Sequence, residues 1–233
     1  MATKISKRVK QFPALYDRTK TYGLKEAIAV LKKYPKVKFD ETIEIAANLN
    51  IDPKQTSQTI RGVIAMPHGT GKKITIAAFC KGEEEKKARE AGADYVGAED
   101  LVAKIQGGWC EFDVAISTPD MMKDLAKLGK ILGPRGLMPN PKAGTVTMDM
   151  AKAIKELKAG RIEFKMDKQS GIHVAVGKLS FAEEALYDNA KTLIEALIEA
   201  DHEGPKGQRI KNLYLSSTMG PGIKLDLSEF RKA

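Results

Sequence analysis

A short run of hydroxyl-bearing residues near the end of the chain is the first place where residue types suggest chemistry. Ser216, Ser217 and Thr218 close an imperfect apolar–polar alternation that is typical of a strand, and Met219 and the Gly220–Gly222 segment stop it. Proline has no N–H for a sheet, and glycine adopts backbone conformations that other residues avoid, so the chain must turn here. Such a corner could admit a large, irregular partner. It is equally typical of a tight structural turn, and both interpretations stay open on this segment alone.

Further polar side chains lie at the start of another predicted strand. Lys36, Lys38 and Phe39 precede that strand. Thr42 and Glu44 then occupy alternate positions, hence one face of it. A sheet that offers hydroxyls, backbone and cations suits a folded RNA, which is recognised by shape, 2′-hydroxyls and phosphates. The alternatives are that Phe39 belongs to the core and that Glu44 is a solvated strand residue.

Three more candidates lie elsewhere in the sequence, and the net charge favours the same kind of partner. Arg61 falls within a second predicted strand, and Asp167 and Lys168 fall in a predicted turn. The chain of 233 residues has 39 basic and 30 acidic residues, a net charge of +9 and a pI of about 9.3. This balance indicates a polyanion as partner, either nucleic acid or an anionic membrane.

Membrane, secretion, disulfide and metal functions find little support. No apolar run approaches the roughly 20 residues that span a bilayer, and the basic N-terminus lacks the apolar stretch of a secretory signal. Cys80 and Cys110 are too few for a disulfide framework, and we expect both to be buried thiols in a reducing cytoplasm. The three histidines lie far apart, without the spacing of metal ligands.

Enzyme motifs are also weak. The Gly69–Lys72 segment resembles a phosphate loop, but Met66 stands where the first glycine should be and Lys73 where a serine or threonine should follow. An interdomain hinge is the better interpretation of this segment. The glycines at 129, 133 and 136 do not match the dinucleotide fingerprint. We therefore expect no enzyme and no cofactor; the alternative is a nucleotide-dependent enzyme that uses the central α/β segment.

The secondary-structure elements that would position these residues follow two different patterns along the chain. Up to about residue 67 and from about residue 160, strand patterns mix with helices, whereas short strands alternate with helices between them, as in a parallel α/β layer. We predict a mixed α/β (α+β) fold of two domains: residues 1–67 and 160–233 form a discontinuous RNA-binding domain, and residues 68–159 form an inserted domain. The outer domain carries 24 basic and 17 acidic residues and thus most of the excess charge.

The predicted helices are Thr3–Tyr16 with an interruption at Pro13, Leu24–Lys33, Glu83–Ala91, Glu99–Gln106, one capped by Thr118, Asp149–Ala159, and one from a capping box at Ser180 to Ala200. The predicted strands are Phe39–Leu49, Gln58–Met66, Lys73–Phe79, Asp94–Val96, Asp113–Ile116, a hairpin of Arg161–Met166 with Ile172–Val176, and a closing hairpin at the end of the chain.

One segment breaks the alternation of the inserted domain. Gly129–Thr145 holds four glycines, three prolines and the cations Lys130, Arg135 and Lys142. A loop of this length without regular structure is uncommon unless it is functional or disordered. Its three cations make it a candidate for contact with an anionic partner.

The sequence resembles a known family at three places. These are the run LGKILGPRGLMPNPKAGTV, the strand that begins at Phe39, and the segment Ser217–Pro221. Together they are similar, end to end, to ribosomal protein L-one, the stalk protein of the large ribosomal subunit in its bacterial form. The resemblance implies a discontinuous first domain with a split β-α-β core and an inserted, Rossmann-like second domain.

The resemblance also implies a function. The first domain would bind a folded segment of large-subunit ribosomal RNA, and the resulting mobile stalk would help to release deacylated tRNA from the exit site. The same surface would bind the protein's own messenger RNA and repress its translation. Contact with tRNA is a hypothesis for Lys130, Arg135 and Lys142 of the second domain. The protein would be cytoplasmic, on the ribosome, and a monomer when free of it. Carried over by motif position, the RNA-binding residues are Lys38, Phe39, Thr42, Glu44, Arg61, Asp167, Lys168, Ser216, Thr218, Met219 and Gly220, to which the residue types add Lys36.

Overall fold

The chain folds as two compact units. The computed structural model describes residues 8–35, 37–50, 60–202 and 210–230. The first unit consists of Met1–Gly71 with Phe164–Ala233, and the second consists of Lys72–Glu163. The strands in chain order are β1 (Thr42–Leu49), β2 (Arg61–Ala65), β3 (Ile76–Phe79), β4 (Tyr95–Gly97), β5 (Val114–Ser117), β6 (Arg161–Lys165), β7 (Gly171–Lys178), β8 (Ile210–Ser217) and β9 (Ile223–Lys224). The helices are α1 (Phe12–Leu15), α2 (Leu24–Lys33), α3 (Glu83–Glu90), α4 (Glu99–Gln106), α5 (Met122–Ala126), α6 (Gly129–Leu132), α7 (Met150–Lys158) and α8 (Glu183–His202).

The first unit is built on an antiparallel sheet in the order β7-β1-β8-β9. Ile43 and Ile45 of β1 are buried, while Thr42 and Glu44, which alternate with them, are half-buried, so one face of the strand enters the core. Helices α2 and α8 pack against each other; α8 also packs against β7 and β2, and α2 packs against β8. Their apolar stripes are buried as the sequence predicts: Leu24, Ala27, Ile28 and Leu31 on α2, and Leu186, Ala190, Leu193 and Leu197 on α8. The burial of each such leucine or isoleucine contributes about 1.5–3 kcal/mol to stability.

The second unit contains the predicted parallel layer. Its sheet has the order β4-β3-β5, and both neighbours run parallel to β3. All four residues of β3 are buried, because apolar clusters cover both faces of the sheet. Cys80 is buried at the end of β3 and Cys110 is half-buried, so only the first cysteine matches the expectation of full burial. Burial raises the pKa of the Cys80 thiol to about 11, which suits an inert structural thiol.

The predicted hairpin between β6 and β7 is wrong. A turn is present, since the Asp167 N–H donates to the Gly171 carbonyl at 2.8 Å. However, β6 pairs with β2, whereas β7 pairs with β1. Turn-forming residues determine where the chain reverses, but tertiary packing determines which strand each arm joins.

Four local predictions also need correction. Pro13 lies in the first turn of α1 and does not interrupt a helix; the predicted start of that helix lies outside the described residues. The Ser180 hydroxyl donates to Asp40 at 2.7 Å, and α8 begins only at Glu183. Thr118 and Pro119 take the predicted first positions, but they open a 3-10 turn, Pro119–Met121, and the Thr118 side chain makes no capping hydrogen bond. The Gly129–Thr145 segment is not without regular structure, since it contains α6 and the 3-10 turn Pro141–Ala143.

Candidate nucleic-acid interface

The starting end of β1 meets the finishing end of β8 in a closely bonded corner, formed by Glu41, Thr42 and Ser217–Gly220. The backbone N–H of Thr218 donates to the Thr42 carbonyl at 3.0 Å. The Thr42 N–H donates in turn to the Thr218 hydroxyl at 3.0 Å, and that hydroxyl lies 3.2 Å from the Thr42 carbonyl, to which it donates. The antiparallel register aligns these residues, with Ile43 opposite Ser217. Two threonines that are 176 residues apart thus fix each other.

A buried carboxylate lies directly beneath this corner. Glu41 Oε2 accepts from the Ser217 hydroxyl at 2.6 Å and from the Met219 N–H at 3.0 Å. Glu41 Oε1 lies 3.9 Å from Nη1 of Arg8, whose Nη2 donates to the Met219 carbonyl. The Ser217 hydroxyl and both the N–H and the carbonyl of Met219 therefore have hydrogen-bond partners within the protein.

Two large apolar side chains project into solvent at or next to the corner. Met219 is 55% exposed and Phe39 is 54% exposed. The alternative that Phe39 belongs to the core is therefore wrong. Exposed aromatic and thioether groups beside hydroxyls offer surfaces on which bases or sugars can stack or pack.

The half-buried face of β1 adds polar groups to the corner. The Thr42 hydroxyl accepts from Nζ of Lys178 at 2.8 Å. Glu44 lies opposite Ser216 of β8, so these two side chains are cross-strand neighbours. On its other side β1 has an irregular register with β7 between Ile43 and Glu44, and bulges of this kind redirect side chains beside functional sites. Lys38 is exposed just before the strand, and Lys36 lies outside the described residues.

The structure does not bring all the predicted residues to this corner. Asp167 and Lys168 precede β7 at its Gly171 end, whereas the corner lies at its Lys178 end. Seven residues of antiparallel strand correspond to about 24 Å. Arg61 lies with the distant pair, because its neighbour Ile60 accepts from the Met166 N–H at 2.9 Å. The candidate residues therefore form two groups on the first unit.

Asp167 organises the second group. Its Oδ1 accepts the N–H groups of Gly171 and Gln169, both at 2.7 Å. These bonds, with that from Gly171 the stronger influence, lower the pKa of the Asp167 carboxyl below its ordinary value. Ser170 holds the left-handed conformation that closes the turn, with φ of 63°. Lys168 is exposed at the tip, free to face an anion.

The second unit presents the three cations proposed for tRNA. Lys130 lies on α6, Arg135 follows it and Lys142 lies in the 3-10 turn; all three are exposed. The side chain of Asn140 accepts the Lys142 N–H at 2.9 Å, and the Thr145 hydroxyl accepts the Asn140 N–H at 2.8 Å. The segment is thus a hydrogen-bonded platform that presents cations.

Sequence reasoning missed Glu41, Arg8 and Lys178. A signal for Glu41 was present, since it shares strand parity with the apolar Ile43 and Ile45 and so had to point inward. A carboxylate on a core-facing position needs buried partners. Arg8 and Lys178 carry no such signal, because their contacts join segments that are distant in sequence.

Neither a metal site nor a membrane span was found among the described residues. No group of three or more histidine, cysteine, aspartate or glutamate side chains within residues 8–35, 37–50, 60–202 and 210–230 could hold a metal ion. The same ranges contain no helix that is both long enough and apolar enough to cross a membrane.

Comparison with known proteins identifies the family. Residues 31–221 match the ribosomal protein L1p/L10e family. The chain is 50% identical over 224 residues to the large ribosomal subunit protein uL1 of Protochlamydia amoebophila (strain UWE25), covering 96% of this chain and 95% of that protein. It is 52% identical over 227 residues to the proteins of the same name from Chlamydia abortus and Chlamydia caviae, covering 97% of this chain and 98% of each. The chain belongs to the ribosomal protein L1p/L10e family.

Proposed function

We propose that this chain is a structural component of the large ribosomal subunit that binds a folded segment of large-subunit ribosomal RNA through the first unit. The observation that carries the proposal is the corner at the β1–β8 junction. Its backbone and hydroxyls are fixed by bonds within the protein, while Met219 and Phe39 remain exposed. A preordered surface of this kind recognises RNA by shape without the cost of ordering a loop.

The charge of the chain supports the same partner. Cations at Lys38, Lys168 and Lys178 lie around the candidate residues, and each phosphate that they neutralise releases counterions from the RNA. The chain is not an enzyme, since its family and its relatives are ribosomal proteins. Its place is on the ribosome in the cytoplasm.

The test compares two RNAs at two salt concentrations. One is the stalk segment of large-subunit ribosomal RNA, and the other is a scrambled hairpin of equal length. We expect a preference for the stalk segment that persists at the higher salt concentration. Recognition of RNA shape contributes binding free energy in addition to the salt-dependent attraction to phosphates, which both RNAs share. Equal binding to both RNAs, collapsing as salt rises, would leave only a basic protein and refute the proposal.

A matched pair of substitutions localises the site. Thr218→Ala removes the hydroxyl that bonds Thr42, and Thr192→Ala removes a hydroxyl that donates to Asp188 on α8, away from the corner. We expect only the first to weaken binding of the stalk segment, with both variants folded. Undiminished affinity of Thr218→Ala would remove the corner from the interface.

We also propose a tRNA contact through Lys130, Arg135 and Lys142, which would assist release of deacylated tRNA from the exit site. These cations are exposed on a hydrogen-bonded segment of the second unit. Replacing all three with alanine should weaken tRNA binding and leave the affinity for ribosomal RNA unchanged. A control triple of exposed lysines from the same unit, Lys86, Lys104 and Lys155, matches the charge removed. Equal losses in both triples would show a general charge effect and no site.

Repression of the protein's own messenger RNA is proposed for the same corner of the first unit. If one surface binds both RNAs, a messenger fragment should displace the ribosomal segment competitively, and Thr218→Ala should weaken both complexes in parallel. Simultaneous binding of the two RNAs to one chain would contradict a shared surface.

The alternative, a nucleotide-dependent enzyme, meets two obstacles in the second unit. A nucleotide would lie at the carboxyl ends of the parallel strands, with its phosphates at a helix N-terminus. Helix α3 begins with three glutamates and α4 with a glutamate and an aspartate, which repel phosphate. The backbone of Ser117, at the end of β5, pairs with Val146 through bonds to Thr145 and Thr147, so another part of the chain lies beside this end of the strand. We expect no nucleotide to raise the melting temperature; a concentration-dependent rise with any one would revive the alternative.

A further inference from the structure

The Met219 peptide of the corner is bonded at both ends by charged side chains. Glu41 accepts its N–H at 3.0 Å, and Arg8 donates to its carbonyl. These partners lie 178 and 211 residues away in sequence. The same oxygen of Glu41 accepts the Ser217 hydroxyl at 2.6 Å, so one carboxylate oxygen holds both the Ser217 side chain and the Met219 backbone.

Glu41 cannot itself be a contact for RNA. Its side chain is only 4% exposed, so it offers RNA almost no surface to contact. A buried carboxylate is tolerated only when hydrogen bonds and a counter-charge compensate for the loss of water. Ser217 and Met219 supply the bonds, and Arg8, 3.9 Å away, supplies the charge.

Arg8 is held in place from a second side. Its guanidinium lies 5.6 Å from the centroid of the Phe12 ring, within the range of a cation–π contact. Phe12 is buried and stacks edge-on against Tyr34 at 4.9 Å. Residues 8–12 are therefore anchored to the core of the first unit, and Arg8 extends from them to the corner.

We propose that Glu41 and Arg8 are positioning residues of the RNA interface, which hold the Met219 peptide in its binding conformation before RNA arrives. The inference rests on the proposed function. If the corner were ordered for only a fraction of the time, the apparent affinity would fall by that fraction. The pair thus raises affinity without touching RNA.

The first arm of the test needs no RNA. Glu41→Ala should speed hydrogen exchange of the Met219 amide, measured by NMR in the free protein, by about tenfold or more. Glu41→Gln should keep the amide protected, because the glutamine carbonyl can take the place of the single oxygen that accepts both bonds. Equal protection in Glu41→Ala and the wild type would overturn the proposal.

The second arm measures affinity for the stalk segment of ribosomal RNA as a function of salt. Glu41→Ala should bind about tenfold more weakly with an unchanged salt dependence, and Glu41→Gln should recover most of that loss. Arg8→Ala should weaken binding with the same salt dependence. A salt slope smaller by about one in Arg8→Ala would show that Arg8 neutralises a phosphate, and would overturn its positioning role.

A stability control separates positioning from general unfolding. Asp113→Asn removes a bonded carboxylate from the second unit, far along the sequence from the corner. It should lower stability and leave both RNA affinity and Met219 exchange unchanged; an equal loss of affinity would overturn the proposal. If the wild type itself shows no preference for the stalk segment, the proposed function fails together with this inference. A preference in the wild type that Glu41→Ala retains overturns the inference alone.

Discussion

Replacing Gly220 with alanine should disrupt the hydrogen bond between Ser217 and Glu41 that holds the corner. A Cβ on Gly220 would overlap the Ser217 hydroxyl and lie 3.4 Å from its Cβ. That hydroxyl cannot move without leaving Glu41, to which it donates at 2.6 Å. A hydrogen bond to a charged group contributes about 1.5–3 kcal/mol, so we expect a stability loss of that order.

The same substitution should weaken RNA binding for a separate reason. The displaced Ser217 no longer fixes the turn, and RNA must restore its shape on binding. If RNA binding has to supply all of the free energy needed to restore the turn, the affinity for RNA falls by between about tenfold and about hundredfold. A loss of stability without any loss of affinity would show that the bound corner tolerates the shifted hydroxyl.

The chain offers a matched control two residues further along. A Cβ on Gly222 would meet only the Tyr214 ring, at 4.0 Å, and Gly222 does not have a positive φ. Gly222→Ala should therefore bind RNA and resist urea like the wild type. Urea unfolding followed by circular dichroism and binding to the stalk segment followed by fluorescence anisotropy check both variants. Equal behaviour of the two alanine variants would refute the steric argument.

Two further predictions concern stability. Lys72, at 2.5 Å, and the backbone and hydroxyl of Thr75 lower the pKa of Asp113 to about 2. Because the pKa is lower in the folded chain, this stabilisation is complete above the ordinary value of 3.8 and is lost as the pH falls towards 2. The side chain is 31% exposed, so screening leaves about 1–2 kcal/mol, and acid titration of Asp113→Asn by circular dichroism should lack this step. Gly62→Ala should cost about 1–3 kcal/mol in urea unfolding, because its Cβ would overlap the Phe164 ring, whereas Gly129→Ala, which meets nothing within 4 Å, should be neutral.

The secondary structure was largely predictable because its signals are local. Helices α2 and α4 have the predicted bounds, and the three-stranded parallel layer forms from the predicted segments. The family membership confirms the resemblance seen in the sequence. Strand pairing failed at β6 and β7, since the residues between them encode a turn but not its partners.

The geometry of the candidate site was predictable only in part, for the same reason. Thr218 and Met219 stand out by type, but their partners come from the other end of the sequence: Thr42 bonds Thr218, and Glu41 and Arg8 bond Met219. Strand parity alone could have flagged Glu41 as an inward-facing carboxylate. The Ser180 capping box shows the converse, because its hydroxyl bonds Asp40 instead of the helix.

The distance between the two groups of candidate residues constrains the partner. The corner and the Asp167 turn lie at opposite ends of β7, about 24 Å apart along the strand. A short single strand would use one stacking platform, whereas a folded RNA can present backbone to both ends at once. Substitutions at Thr218 and Lys168 should then weaken the stalk complex independently, with free energies that add because the sites share no contacts. Binding measurements on the two single variants and the double variant check this; strong non-additivity would mean that the two groups contact the RNA as one coupled site.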